Sequence, residues 1–157
     1  MKCPAGDETD YMNRYLEFTD SEGVEELLCF RYQCMKRYGG KWHLESRIVL
    51  PGYIFIDGTN MLIERNWKGN LKSRWEISII PCEVPYLKEM CQGGSVVGIS
   101  KGIIRNGRVI VTSGPLKGRE SLIRKIDRHK RTAKIEIPFT DGQKQVTVGL
   151  EIYGKEI

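Results

Sequence analysis

From Gly107 onward the apolar side chains recur at every second position, in runs too short for anything but small strands. GRVIVTS, ESLIRKI, TAKIEI, QVTVGL and EIYGK follow one another, broken by Gly114-Pro115, Asp127-Arg128-His129 and Asp141-Gly142. Period two is the spacing of a strand with one covered face, and Gly, Pro and Asp at the breaks favour turns. So many short strands expose unpaired edges unless the sheet curls on itself. The pattern therefore predicts a small all-β barrel over residues 105–157.

The first part of the chain has mixed periodicity. AGDETDYMNRYLEF predicts a helix, with Asp7 as N-cap, acids in the first turn, and Tyr11/Tyr15 and Met12/Leu16 at i, i+4. LLCFRYQCMKRY alternates as a strand, and Gly39-Gly40 turns it into WHLESRIVL as a hairpin. After Pro51-Gly52, YIFID puts Tyr53 and Phe55 on one face and Ile54 and Ile56 on the other. With both faces apolar, either a helix covers each face or Tyr53 and Phe55 belong to a surface that docks a partner. Residues 60–75 give no clear period, EISII is a short strand, and PCEVPYLKEMCQ is a helix that Pro81 opens and Gly93-Gly94 stops. The expectation is an α+β domain over residues 1–92, built as an antiparallel sheet with helices. A linker over 93–104, GGSVVGISKGII, would join it to the barrel.

Charge separates these parts. Residues 101–137 hold 11 Lys or Arg against 3 Asp or Glu, whereas residues 1–100 hold 12 against 14. An excess confined to one segment points to a polyanionic partner for that segment, nucleic acid first. The cations in question are Lys117, Arg119, Arg124, Lys125, Arg128, Lys130, Arg131 and Lys134. Gathered on one face they would track a phosphate backbone and release counterions; spread out, they would be a solvated surface. No aromatic residue lies between 105 and 138, so recognition of phosphates or shape is expected rather than stacking on single strands.

Other chemistry finds little support. There is no nucleophile elbow, no phosphate-cradling G-x-x-x-x-G-K-[ST] and no H-E-x-x-H, and His129 lies in a turn among cations, so no catalytic residue is expected. Five cysteines (Cys3, Cys29, Cys34, Cys82, Cys91) form no C-x-x-C pair, and neither His43 nor His129 lies beside a cysteine pair; neither a metal site nor a cofactor is expected, and the thiols read as reduced. No apolar run approaches the ~20 residues of a membrane span, and MKCPAGDETD lacks a secretory leader. A cytoplasmic location is the expectation, with no membrane partner.

Two stretches carry a family resemblance. VLPGYIFID resembles the L-F-P-G-Y-V-F-V strand of the N-terminal (NGN) domain of NusG-type transcription factors, and GRVIVTSGPLKGRESLIRKIDRHKRTAKIEI resembles the KOW motif of their C-terminal SH3-like barrel. The likeness is strong at 47–57 and 103–137 and weak at 58–80; TSGPLKG and IDRHKR are most similar to the specialised LoaP-type antitermination paralogues. It implies an NGN-like domain that sits on the clamp of RNA polymerase, with Tyr53 and Phe55 in the docking surface, and a KOW barrel that contacts nascent RNA, a leader hairpin among the options. Pausing and termination would be suppressed. Gly114, Pro115 and Gly118 match the KOW turn. Housekeeping members commonly carry Phe after Gly-Pro, where a ribosomal protein or Rho binds; here Leu116 stands there, which speaks against both contacts. The aromatic first strand of the family is missing ahead of MKCPAGDE, so the expectation is either that the true start lies upstream of Met1 or that the first domain is truncated. Two further expectations stay open beside the antiterminator: a ribosome-associated KOW protein that binds RNA, and an inactive truncated paralogue.

Overall fold

The computed structural model describes residues 3–18, 24–58, 85–139 and 142–157. It is mostly β, with α-helices and several sheets, an α+β chain in the coarse sense. Among the described residues, those before Phe30 and those from Leu50 to Gly58 form one compact unit; Phe30–Val49 and Pro85 onward form a second. The expected strand EISII, the unpatterned stretch 60–75, Pro81 and Cys82 lie outside the described residues. No helix among those described is long and apolar enough to cross a membrane.

In the first unit, helix α1 (Glu8–Phe18) packs on strands β1 (Val24–Leu28) and β4 (Phe55–Gly58), which pair antiparallel with Leu27 opposite Ile56 and Leu28 opposite Phe55. Its apolar stripe works as the i, i+4 spacing requires: Tyr15 is buried against Ile54, with Tyr11, Met12, Leu27, Cys29 and Ile56 packed around them. The helix start has an unexpected feature. Glu8, only 2% exposed, accepts hydrogen bonds from the Gly6 N–H (3.0 Å) and the Gly52 N–H (2.7 Å). A carboxylate out of water is tolerated only with such partners. Glu8 thereby ties the helix entry to the Pro51-Gly52 turn, which the Cys3 N–H also reaches through the Gly52 carbonyl at 2.7 Å.

LLCFRYQCMKRY is not one strand. It breaks at Cys29-Phe30, and β2 (Arg31–Tyr38) belongs to the second unit, where it pairs antiparallel with β3 (Lys41–Ile48) across the Gly39-Gly40 turn. Strand β5 (Val96–Val97) joins β2 in parallel, so this sheet is mixed rather than antiparallel. Helix α2 (Pro85–Met90) begins at Pro85, a position that needs no N–H donor, and buries Leu87 and Met90.

A five-stranded sheet, in the order β7-β6-β10-β9-β8, makes up the rest: β6 (Ser100–Arg105), β7 (Arg108–Ser113), β8 (Ile123–Asp127), β9 (Thr132–Phe139) and β10 (Gly142–Glu156). QVTVGL and EIYGK are one strand here, not two. β10 pairs antiparallel with β9 through residues 142–149 and parallel with β6 through 150–156, so one long strand serves both halves of the sheet. No ladder joins β7 to β8; the Val111 N–H instead donates to Glu120 of the short 3₁₀ turn Glu120–Leu122 at 3.1 Å. Ala133, Ile135, Ile137, Val146, Val148 and Leu150 alternate into the core, as period two predicts.

The segment read as a linker, 93–104, holds β5 and most of β6, with Val97 and Ser100 fully buried. The expected division between 92 and 105 is crossed in a second way: the β2–β3 hairpin sits in the same unit as the five-stranded sheet. Gly149 explains the contact. A β-carbon there would collide with the Gln33 carbonyl, so only glycine lets the backbone of β2 lie directly on β10.

Candidate nucleic-acid interface

The packing of hairpin on sheet creates a groove of about 610 Å³. From the sheet side come Lys125, Asp127, His129, Lys130, Thr132, Lys134 and Thr147; from the hairpin side Tyr32, Cys34, Met35, Lys36, Arg37, Trp42 and Arg47. Six of these are Lys or Arg and one is an acid. The acid is already used: Asp127 Oδ1 accepts the Lys130 N–H at 2.9 Å, closing the β8–β9 turn. That bond, with the neighbouring cations, holds its carboxyl below the usual range, so it stays ionised. Elsewhere in the lining, burial pushes the Cys34 thiol and the Tyr32 phenol upward, which favours their neutral forms.

The register adds an electrostatic argument. Lys125 lies directly opposite Lys134 across β8–β9, and Lys134 opposite Thr147 across β9–β10. Like charges facing each other across a ladder oppose sheet formation. No carboxylate pairs with either lysine among the described residues. An anion lying over both would remove the repulsion.

The eight cations singled out from sequence are not gathered on one face. Lys125, Lys130 and Lys134 line the groove. Arg128 and Arg131 line an adjoining cavity of about 760 Å³. Arg124 is turned to Glu136 (2.9 Å), and Arg119 to Glu89 (2.9 Å) and to the Pro115 carbonyl (3.1 Å). Lys117 is exposed on the Gly114–Gly118 turn and lines neither cavity. The structure therefore divides a run that looked uniform into five residues at the cavities and three elsewhere.

What sequence reasoning missed is the contribution of the hairpin. MKRYGGKWH packs Lys36, Arg37, Tyr38, Lys41, Trp42 and His43 around a tight turn, but averaging charge over residues 1–100 hides this local basic and aromatic cluster. Aromatic side chains thus stand beside the basic segment, supplied by the hairpin rather than by residues 105–138. The Arg131 guanidinium lies 3.7 Å from the centre of the Trp42 ring, a cation–π arrangement, and Arg131 is also paired with Glu151. Tyr153 joins Trp42 and Arg131 in the adjoining cavity.

The turn that carries Gly114, Pro115 and Gly118 is structural. Gly114 (φ +93°) crosses Ser100 so closely that a β-carbon would fall 2.6 Å from the Ser100 Cα. Leu116 is fully buried, and its N–H donates to Ser100 Oγ at 2.9 Å. A partner could not reach the Leu116 side chain without unfolding this corner. Tyr53 and Phe55, in the first unit, are half-buried, on the opposite parity from the helix-covered Ile54 and Ile56. The Tyr53 carbonyl accepts the Cys29 thiol at 3.5 Å, and its N–H donates to Leu50 O at 3.2 Å. Among the described residues, no group of three or more His, Cys, Asp or Glu stands together as metal ligands do. No protein-family model matches the chain, and no curated protein matches it.

Proposed function

We propose that this chain is a non-enzymatic, RNA-binding regulator of transcription in the cytoplasm, of the NusG antitermination type. It would bind RNA polymerase through the unit that carries Tyr53 and Phe55, hold nascent RNA on the basic groove of the other unit, and suppress pausing and termination. One observation carries the RNA half: six Lys or Arg face one groove whose single acid is committed to a turn, and two of those lysines oppose each other in register. Surfaces of that kind gain affinity from phosphates by displacing counterions. Support for the polymerase half is the likeness of 47–57 to the NGN docking strand, together with the partial exposure of Tyr53 and Phe55.

Co-purification with bacterial RNA polymerase core, at salt high enough to screen surface charges, tests the polymerase half. The wild type is expected to be retained and Tyr53→Ala/Phe55→Ala lost, with both folded by circular dichroism. Failure of the folded wild type to bind core removes the polymerase half. Cosedimentation with ribosomal subunits at high salt would then favour a ribosomal KOW role.

A further inference from the structure

The two cavities of the second unit share Arg37, Trp42 and His129 and so adjoin; a ligand spanning both would follow one path past these residues. Their linings differ. The first is dominated by lysines and arginines on strands; the second sets Trp42 and Tyr153 beside Arg128 and Arg131. Tyr153 is 62% exposed yet fixed, its hydroxyl donating to Thr112 Oγ1 at 3.1 Å. Arg131 is fixed twice, by Glu151 and by its place over Trp42. Flat rings and a flat guanidinium, held rigid and partly open to solvent, suit a flat ligand with a π-face.

We infer that this path takes an unpaired stretch of RNA, with a base inserted between the aromatic side chains of the second cavity and its neighbouring phosphates on Lys125, Lys130 and Lys134. The inference rests on the RNA-binding function proposed above and specifies its substrate class. In a duplex the base faces are stacked inside and only edges and phosphates are offered, so a rigid helix can use the lysine groove but not the aromatic cavity. A single strand can use both, because every base has a face to stack and its backbone can follow the groove.

The test uses the full chain and three probes of equal length: an unstructured adenine-rich single-stranded RNA, its duplex, and the single-stranded DNA of the same sequence. Fluorescence anisotropy gives affinity. The single-stranded RNA is expected to bind at least about tenfold more tightly than the duplex, and Tyr153→Ala to weaken it roughly ten- to hundredfold, the loss of one base stack. Tyr153→Phe, which keeps the ring, should restore most of that. Tyr86→Ala, a partly exposed aromatic lining neither cavity, should change nothing. DNA binding equal to RNA shows stacking without selection for the 2′-hydroxyl and supports the unpaired-strand assignment. Duplex binding as tight as the single strand, or a folded Tyr153→Ala of unchanged affinity, overturns the inference. If Lys134→Ala still weakens binding in that case, the RNA function of the groove survives. Absence of binding by every probe at low salt sinks both.

Discussion

At Gly114 two constraints meet: a positive φ of +93° and a backbone crossing that leaves no room for a β-carbon. Gly118, four residues on, has a similar φ of +78° but open space around it. The pair separates strain from collision. Gly118→Ala should cost only the left-handed penalty, about 1–2 kcal/mol, whereas Gly114→Ala must also displace Ser100 and should cost about 4 kcal/mol or more, within the range of severe single mutations. Urea unfolding of both variants, followed by circular dichroism, checks this; equal losses would mean that the crossing relaxes freely. Leu116 allows a second comparison. Fully buried, it should lose about 2–5 kcal/mol as Ala and about 1–3 kcal/mol as Phe through overpacking. A stable, soluble Leu116→Phe that gains a protein partner would contradict the burial found here.

Strands were legible wherever one face is buried and the period is clean. β9 and β10 follow the alternation of Ala133, Ile135, Ile137, Val146 and Val148, and the β2–β3 hairpin follows Gly39-Gly40. β6 was missed because its glycine and lysine resemble a linker, although Asn106-Gly107, between IIR and RVI, is a strong two-residue hairpin signal. The candidate site was half legible. Local sequence shows the charge on β8 and β9, but the docking of the hairpin depends on Gly149, whose lack of a side chain cannot be told from a turn glycine without the fold. The opposed Lys125–Lys134 pair leads to a prediction at this scale. Lys134→Met should stabilise the protein without ligand, by about 0.5 kcal/mol, since it relieves cross-strand repulsion on an exposed strand position, and should weaken RNA binding in the same molecule. Thermal melts with and without RNA measure both effects. If Lys134→Met is less stable without RNA, its aliphatic stem packs more than its charge repels.

For the molecule as a whole, the proposed RNA binding raises the question of which of its 25 Lys and Arg would meet phosphate. Eight line the two cavities. Lys36 and Arg47 share Glu45, and Arg131 is held by Glu151, so their charge is partly neutralised before any ligand arrives. Arg37, Lys125, Arg128, Lys130 and Lys134 have no ion pair among the described residues. Each phosphate neutralised on a single strand contributes about −0.7 to the slope of log affinity against log salt, so five contacts predict a slope of roughly −3.5, and a duplex held by the same five roughly −4.5. Replacing Lys130 or Arg128 by Ala should flatten the slope by about 0.7 each. Replacing Arg119 or Arg124, which are turned to Glu89 and Glu136, should leave it unchanged. Tyr153→Ala should lower affinity at every salt concentration without altering the slope, because stacking displaces no counterion. Anisotropy titrations over a range of salt concentrations settle all of these together. If Arg119→Ala and Arg124→Ala flatten the slope as much as Lys130→Ala does, the positive charge acts as a diffuse field over the whole five-stranded sheet. The groove would then have no privileged role, and the net charge of the segment would account for binding.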